Sequence, residues 1–530
     1  MPDAGRRAGN PAFAAPLVRC GIEKLALAFD SLKGALALRD LINRPPAAGV
    51  WITCAGCAWR SCGGHKLVTH MFGFKHRAIA TALAGALLSA ASAAALAQER
   101  LTVWFNKGFY PAEDKALETM IYRFEQKTGV KVDLSLFAVQ DIMPKTVAAL
   151  DAGTVPDVSF GLTYDFQAAG KWAFEGKLVD LSDIFNPIKD KFLPNTLSTA
   201  YLYNDKTKKK AYYAFPVYQQ TIHVNYWKDM LAEAGFKDTD IPLDWKGYWN
   251  FWCDKVQPAH RQKTGKRTFG IGNPMGVDST DSFFSFYQFL IAHNARLVDD
   301  SGKLVIEQAK NKAGAVAALK DYTDLLTKGC TPPSSTSWKD PDNNVAFHNK
   351  TTVMTHNATI SIAAKWHDDM NNAALTAEQR ATAKKNYEEL IATTGWPKKV
   401  DGTPMAYLAA IKLAVVFEGA KNVKRAKEFV AFIAEDANLI PYTEGALGRW
   451  FPSTKGGAQR DFWKADPHRR TVLKQFSDGT SPFPFVYNYR FTILNNENVW
   501  AKAMSRVTND KWTPEKAVEE MIARIKAVAG

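Results

Sequence analysis

The sequence predicts an α/β fold arranged as two lobes, and three observations carry that expectation. Short apolar strands alternate with single amphipathic helices, glycines stand where those helices should end, and the chain is too long for one core. At 530 residues it exceeds the roughly 250–300 residues at which a single hydrophobic core stops growing. The composition, 46% hydrophobic and 23% charged, is that of an ordinary globular protein.

The elements follow in order. Leu101 to Phe105 reads as a short apolar strand. Pro111 to Gly129 reads as a helix with Leu117, Met120, Ile121 and Phe124 on one face and Gly129 ending it. Val130 to Leu136 alternates with period two, Asp141 to Ala152 is a helix closed by Gly153, and Asp157 to Phe160 is the next strand. Strands joined by single helices imply right-handed crossovers and a parallel sheet covered by helices. Further on, the pattern gives a helix around Asn311 to Gly329, an apolar strand at Leu408 to Val416 and a helix from Ala420 to Glu435. The last helix opens with Thr513 as cap and Pro514 in its first turn, and Ala517, Val518, Met521, Ile522 and Ile525 form its stripe.

A leader is legible near position 71. Lys75 and Arg77 precede a charge-free Ala/Leu run from Ala78 to Ala97, which ends in Ala95-Leu96-Ala97. That is the three-part pattern of a cleaved signal peptide over 71–97, with Gln98 as the expected mature N-terminus and an exported, periplasmic product. A membrane anchor is the competing reading of an apolar run this long, but alanine is weakly hydrophobic and small residues at its end favour cutting. Residues 1–70 are then expected to lie upstream of the true start. Their Cys54-Ala-Gly-Cys57, with Cys20 and Cys62 nearby, lacks the second pair that a zinc site needs.

Removing 1–97 leaves 56 basic and 49 acidic side chains, so the net charge falls from +14 to +7. The basic residues are scattered rather than massed, which excludes a nucleic-acid footprint. Of the cysteines only Cys253 and Cys330 remain; they are equally readable as a disulfide or as two buried thiols. There is no GxSxG, HExxH, P-loop or GxGxxG in strand-to-helix context. His223, His260, His293, His348, His356, His367 and His468 have no metal-ligand spacing. No catalytic residue, metal or cofactor is therefore expected.

Aromatic residues are the positive signal, at 12% of the chain. Flat rings suit the C–H faces of sugar rings, with polar neighbours for the hydroxyls. Trp245, Tyr248, Trp249 and Trp252 lie at helical spacing and read as core packing. Candidate ligand contacts are sought instead at strand-to-loop junctions, because open α/β sheets bind beyond the carboxyl ends of their strands. Those are Asn106 and Tyr110 after the first strand, Thr163, Tyr164 and Asp165 after the third, and Tyr218 and Gln219 after the Pro216 break. Asn357, then Arg449 and Trp450 in the turn between Gly448 and Pro452, and Tyr487 in the aromatic stretch from Asp461 to Asn488 complete the set.

Several of these segments resemble a known family. Ala148-Ala149-Leu150-Asp151-Ala152-Gly153-Thr154-Val155-Pro156-Asp157-Val158, Gly176-Lys177-Leu178-Val179-Asp180-Leu181 and Ala214-Phe215-Pro216-Val217 come in the family's order. They are followed by Val224-Asn225-Tyr226-Trp227-Lys228-Asp229 with Ala234-Gly235-Phe236, by Ala346 to Asn357, and by Ala426 to Phe432. Together they are similar to the family 1 extracellular solute-binding proteins of ABC importers, the group of the maltose-binding protein. The segment from Asn349 to Thr351 departs from the usual Gly-Lys, and Asp461 to Asn488 does not align.

The resemblance implies two discontinuous lobes, 98–217 with 410–484 and 218–409 with 485–530, crossing near Val217, Ala409 and Phe485. It implies a monomer that closes by hinge motion on a small solute, expected to be a carbohydrate, and delivers it to membrane permease subunits. A phosphorylated polyol such as glycerol 3-phosphate or another small anion is the alternative ligand, on account of Lys107 and Arg449. A secreted glycan-active enzyme is the alternative of a different class.

Overall fold

The computed structural model describes residues 99–530. The expected leader, the upstream stretch and Cys20, Cys54, Cys57 and Cys62 lie outside the described residues.

The chain begins with β1 (Arg100–Asn106), β2 (Lys131–Phe137) and β3 (Val158–Gly161), which are parallel neighbours in the order β2-β1-β3. The helix Pro111–Thr128 between β1 and β2 starts with Pro111, which loses no helical hydrogen bond there. It ends at Gly129, whose φ of 73° lets its N–H reach Glu125 O. Its buried face, Leu117, Met120, Ile121 and Phe124, meets the helix Val423–Ile433 edge-on, Phe124 lying 5.0 Å from Phe429. Truncating a ring packed like Phe124 would remove about 3–5 kcal/mol.

After the hairpin β4 (Tyr201–Asn204) and β5 (Lys209–Tyr212), β6 (Phe215–Gln220) joins the first sheet. The chain then passes through Thr221-Ile222 into a second sheet of β7 (His223–Trp227), β8 (Phe269–Gly272), β9 (Thr352–Asn357) and β10 (Ile391–Thr394), ordered β10-β7-β9-β8. It returns through β11 (Tyr407–Leu408) to β12 (Ala410–Val416), and β13 (Phe451–Pro452) edges the first sheet, whose full order is β13-β6-β12-β3-β1-β2. Finally β14 (Thr480–Ser481) pairs with β11 and sends the chain back toward the second sheet.

Each sheet is the centre of its own lobe, with its own apolar core. The Trp245, Tyr248, Trp249 and Trp252 stripe is buried in the core of the second lobe. The disulfide Cys253–Cys330 lies in the same lobe, with Cα atoms 5.1 Å apart.

Three sequence expectations differ from this arrangement. The first sheet is mixed rather than parallel, since β12 runs antiparallel to both β3 and β6. The crossover rule binds only strands joined through a helix on the same sheet, and β12 arrives from the other lobe. Secondly, Tyr218 and Gln219 sit inside β6 and not beyond a crossing near Val217, because the ladder continues through Gln219 opposite Ile411 and Gln220 opposite Ala410. Thirdly, the segment from Pro484 to Asn496 straddles the lobes: Asn495 donates to Phe166 O at 2.8 Å in the first, while Asn488 reaches Gly302 O and Ala529 O in the second.

Candidate functional site

The carboxyl ends of β1 and β3 and the start of β12 face the second lobe across a cleft. At its centre is a chamber of about 50 Å³ lined by Phe109, Leu162, Thr163, Gln220, Lys412 and Arg449 from the first lobe. Thr280, Asp281, Phe284, Asp340, Asn344, Asn357, Thr359 and Ser361 line it from the second. It continues past Thr163 and Asp340 into a wedge of about 350 Å³, and past Phe109 into an open mouth of about 870 Å³. At about 10–15 Å³ of such volume per water, the central chamber as it stands holds only a few waters.

The first lobe brings two cations to the chamber, each already paired. Lys412 projects from β12 and donates to Leu162 O at 2.7 Å and to Asp165 Oδ1 at 3.2 Å. Its ammonium lies 4.9 Å from the Phe166 ring centre and 5.1 Å from that of Phe284. Neither Lys412 nor Asp165 has more than 1% of its side chain exposed. Desolvation therefore outweighs their mutual attraction: burial pushes the Asp165 carboxyl up to about 6 even beside Lys412, and it holds the ammonium below its ordinary value.

Arg449 follows Gly448, whose φ of 83° makes the tight turn. Its Nη1 donates to both carboxylate oxygens of Glu113 at 2.6 and 2.7 Å, and its guanidinium is stacked between the rings of Phe109 and Trp450 at 4.0 and 4.1 Å. Glu113 also accepts from Phe109 N at 3.0 Å and from Trp450 Nε1 at 2.7 Å. Gly108 permits this fold-back, since a β-carbon there would stand 2.7 Å from Glu113 Cβ.

The second lobe brings acids and amides. Asp340 accepts from Ser279 Oγ, Thr280 N and Oγ1 and Asp281 N at 2.6–3.1 Å, capping the helix Thr280–Ala292. The Asp281 carboxyl is driven well above the usual carboxylate range, by burial first and by Asp340 second, against the pull of Arg449 and Lys412. Asn357 is held by its own turn, donating to Thr359 O at 2.7 Å and Ser361 Oγ at 2.9 Å. Three buried atoms of the chamber residues have no partner among the described residues: Thr163 Oγ1, Arg449 Nε and Asn344 Oδ1.

Of the expected contacts, then, the structure gathers Thr163, Asn357 and Arg449 in the chamber, with Tyr110 at the mouth. The others are placed differently. Asn106 accepts from Leu162 N at 2.6 Å and pins the loop after β3. Tyr164 is fully buried, its hydroxyl between Thr146 and Ser159 at 2.6 and 2.8 Å. Asp165 stands behind Lys412 and Trp450 behind Arg449, while Tyr218 stacks under Trp450 with ring centres 4.2 Å apart. Gln219 spends its amide on Pro452 O and Asn195. Tyr487 is exposed in a separate groove beside Asn294 and Arg296. Rings adjoining polar residues at strand ends served here to pack the loops, because a half-polar ring satisfies a buried junction as well as it does a ligand.

Sequence reasoning missed Lys412, Asp281, Asp340, Phe284 and Asn344. Lys412 had a signal: it is the one charge in the apolar run Ala410–Val416, and a lysine buried in a strand needs a partner. Asp281 had none, because an acid in the first turn of a helix looks like an ordinary response to the helix dipole.

Among the described residues no helix is long and apolar enough to cross a membrane, and no group of three or more His, Cys, Asp or Glu is placed to hold a metal ion. No curated protein sequence matches the chain significantly. Solved structures do resemble it in fold. An ABC transporter solute-binding protein from Thermotoga lettingae TMO, bound with α-D-tagatose, superposes with a TM-score of 0.66 at 19% identity, over 82% of this chain and 100% of its own. A sugar transporter from Arthrobacter chlorophenolicus A6 with bound laminaribiose gives 0.64 at 15% identity, over 81% and 99%. An ABC transporter solute-binding protein from Agrobacterium radiobacter K84 in complex with ribitol gives 0.62 at 16%, over 81% and 98%. These likenesses establish the two-lobed fold. The sequence itself carries the family: residues 119–471 match its model, spanning both lobes and the cleft between them, and the chain belongs to the bacterial extracellular solute-binding proteins.

Proposed function

We propose that this chain is the exported, solute-capturing subunit of an ABC importer, closing its cleft on a carbohydrate and handing it unchanged to membrane permease subunits. The observation that carries the reading is the chamber itself: hydroxyls and amides from both lobes and carboxyl groups from the second meet there, with the Phe109 and Phe284 rings in its lining. Thr163 Oγ1, Arg449 Nε and Asn344 Oδ1, on residues that line it, are buried without partners among the described residues. Buried polar atoms left unpaired are costly unless a ligand or water completes them. A polyhydroxylated solute supplies donors and acceptors in the required density, and similar folds are solved with tagatose, laminaribiose and ribitol bound. Groups split between lobes touch the solute together only when the lobes approach, so binding shifts the population toward closure.

The test is a thermal-shift and calorimetric screen of monosaccharides, sugar alcohols and di- and trisaccharides, with glycerol 3-phosphate as the anionic comparison. A true ligand at about 100 times its Kd stabilises by roughly 2.7 kcal/mol. Recovery of the sugar unaltered supports capture, whereas its conversion would favour the enzyme. A screen in which no carbohydrate raises the melting temperature refutes the reading.

A further inference from the structure

We infer that the solute taken by this cleft carries a positive charge, as an amino sugar or another hydroxylated amine does, with its ammonium seated on Asp281. The inference rests on the carbohydrate-capture reading above. Its basis is the charge inventory of the chamber. The two cations, Lys412 and Arg449, are each consumed by a buried carboxylate of their own lobe, Asp165 and Glu113. Asp340 takes its donors from Ser279, Thr280 and Asp281. Asp281 alone receives no side-chain donor among the described residues, although only 9% of it is exposed. Pair by pair the chamber is therefore left with two carboxyl groups that no cation of the chain neutralises, Asp281 and Asp340. An anion would meet these two groups with repulsion, and a neutral polyol would leave them without a cationic partner.

An ammonium matches what is free. It offers three donors and no acceptor, and the chamber's uncommitted acceptors include the Asp281 carboxyl, Thr163 Oγ1 and Asn344 Oδ1. Thr163 is 4% exposed and comes from the lobe opposite Asp281, so one amine would be held across the closure. Arg449 Nε, a free donor, suits a neighbouring hydroxyl. The groups that face Asp281 are Asp340, Arg449 and Lys412 across the chamber and Tyr322 from the helix packed beneath it. Burial first, and Asp340 second, raise its pKa, so a cation bound there favours loss of its proton.

The experiment is titration calorimetry of the full mature chain with D-glucosamine against D-glucose, and with chitosan disaccharide against cellobiose, below the pKa of the sugar amines. Each titration is run in two buffers of different ionisation heat. The expected result is tighter binding of each amine by about tenfold or more, the worth of a charge-assisted hydrogen bond, with proton release on binding the amine and none on binding its neutral partner. Asp281→Asn should bring the ratio of amine to neutral affinity to about one and abolish the proton release, whatever the variant's absolute affinity for neutral sugars. Equal or weaker binding of the amines by the wild-type chain overturns the inference but leaves carbohydrate capture standing. Failure of every sugar, including tagatose, laminaribiose and ribitol, sinks both. Should Asp281→Asn fail to fold, the wild-type comparison and its proton count decide alone.

Discussion

Replacing Lys412 by methionine measures what the buried pair on β12 contributes. The change strands the Asp165 carboxyl, whose side chain is fully buried, in a space shared with the Phe166 and Phe284 rings. Removing one partner of such a pair costs about 3–5 kcal/mol. Unfolding entropy of about 2.1 cal/mol/K per residue over roughly 430 residues gives about 0.9 kcal/mol/K, so the melting midpoint should fall by about 3–5 °C. The sign with pH follows from Asp165. Its folded pKa, about 6 beside Lys412, rises further without it and stands above the unfolded value of about 3.9. The folded variant therefore binds a proton that the unfolded chain releases, so the deficit is small near pH 4 and grows as pH climbs through the folded pKa. Asp165→Asn behaves in the opposite sense: it leaves a buried ammonium already held below its ordinary value, and its deficit shrinks as pH rises. Urea denaturation at pH 5 and 7.5 of the wild type, both single variants and the double variant completes the cycle. The double variant should recover at least about 2 kcal/mol relative to the sum of the singles. Additive singles, or a Lys412→Met chain as stable as the wild type at pH 7.5, would refute the reasoning.

The remaining predictions concern the turn, the cross-link and the rings beneath the site. Arg449→Ala should lose about 3 kcal/mol of stability as well as ligand affinity, because it leaves Glu113 buried without its cation; normal stability on urea denaturation would place that pair in solvent. Reduction of Cys253–Cys330 opens a loop with a sequence separation of 77, for which chain entropy gives up to about 4.5 kcal/mol. Dithiothreitol should lower the melting temperature, and denatured, unreduced protein should show no free thiol; a thiol count of two would disprove the cross-link. Tyr164→Phe removes a hydroxyl bonded to Thr146 and Ser159, so it should cost about 1–2 kcal/mol and leave the dissociation constant for any sugar unchanged within twofold. Finally, small-angle scattering should show the radius of gyration falling when ligand is added, and an unchanged value at saturation would argue against hinge closure.

What the sequence disclosed and what it withheld divide along physical lines. The helix Pro111–Thr128 was readable to within a residue because its signals are local: a proline that fits the first turn, apolar residues every three or four positions, and a glycine free to adopt a positive φ. The stripe from Trp245 to Trp252 was equally local, and its placement in the core followed from helical spacing alone. The antiparallel entry of β12 was not readable, since it depends on Gln219 meeting Ile411 within the first sheet, some two hundred residues apart in sequence. The site suffered the same limit. Arg449 and Thr163 announced themselves by standing in turns after regular elements. Whether Tyr218 touched solvent or the underside of Trp450 depended on a packing partner more than two hundred residues along the chain. Asp281 and Asn344 acquire their role only from the lobe opposite.

The pairing of each cleft cation within its own half has a mechanical consequence. Among the described residues, Lys412 with Asp165 and Arg449 with Glu113 both close inside the first lobe, and Asp340 is satisfied wholly inside the second. Among the described residues, parting the halves therefore ruptures no salt link; it lifts the Phe284 ring off Lys412 and draws Asp281 away from Lys412 and Arg449. Such a jaw swings on a shallow electrostatic gradient, with neither position locked by its own charges. On the proposed reading the occupant tips the balance between the two positions, since it alone bonds to both halves at once.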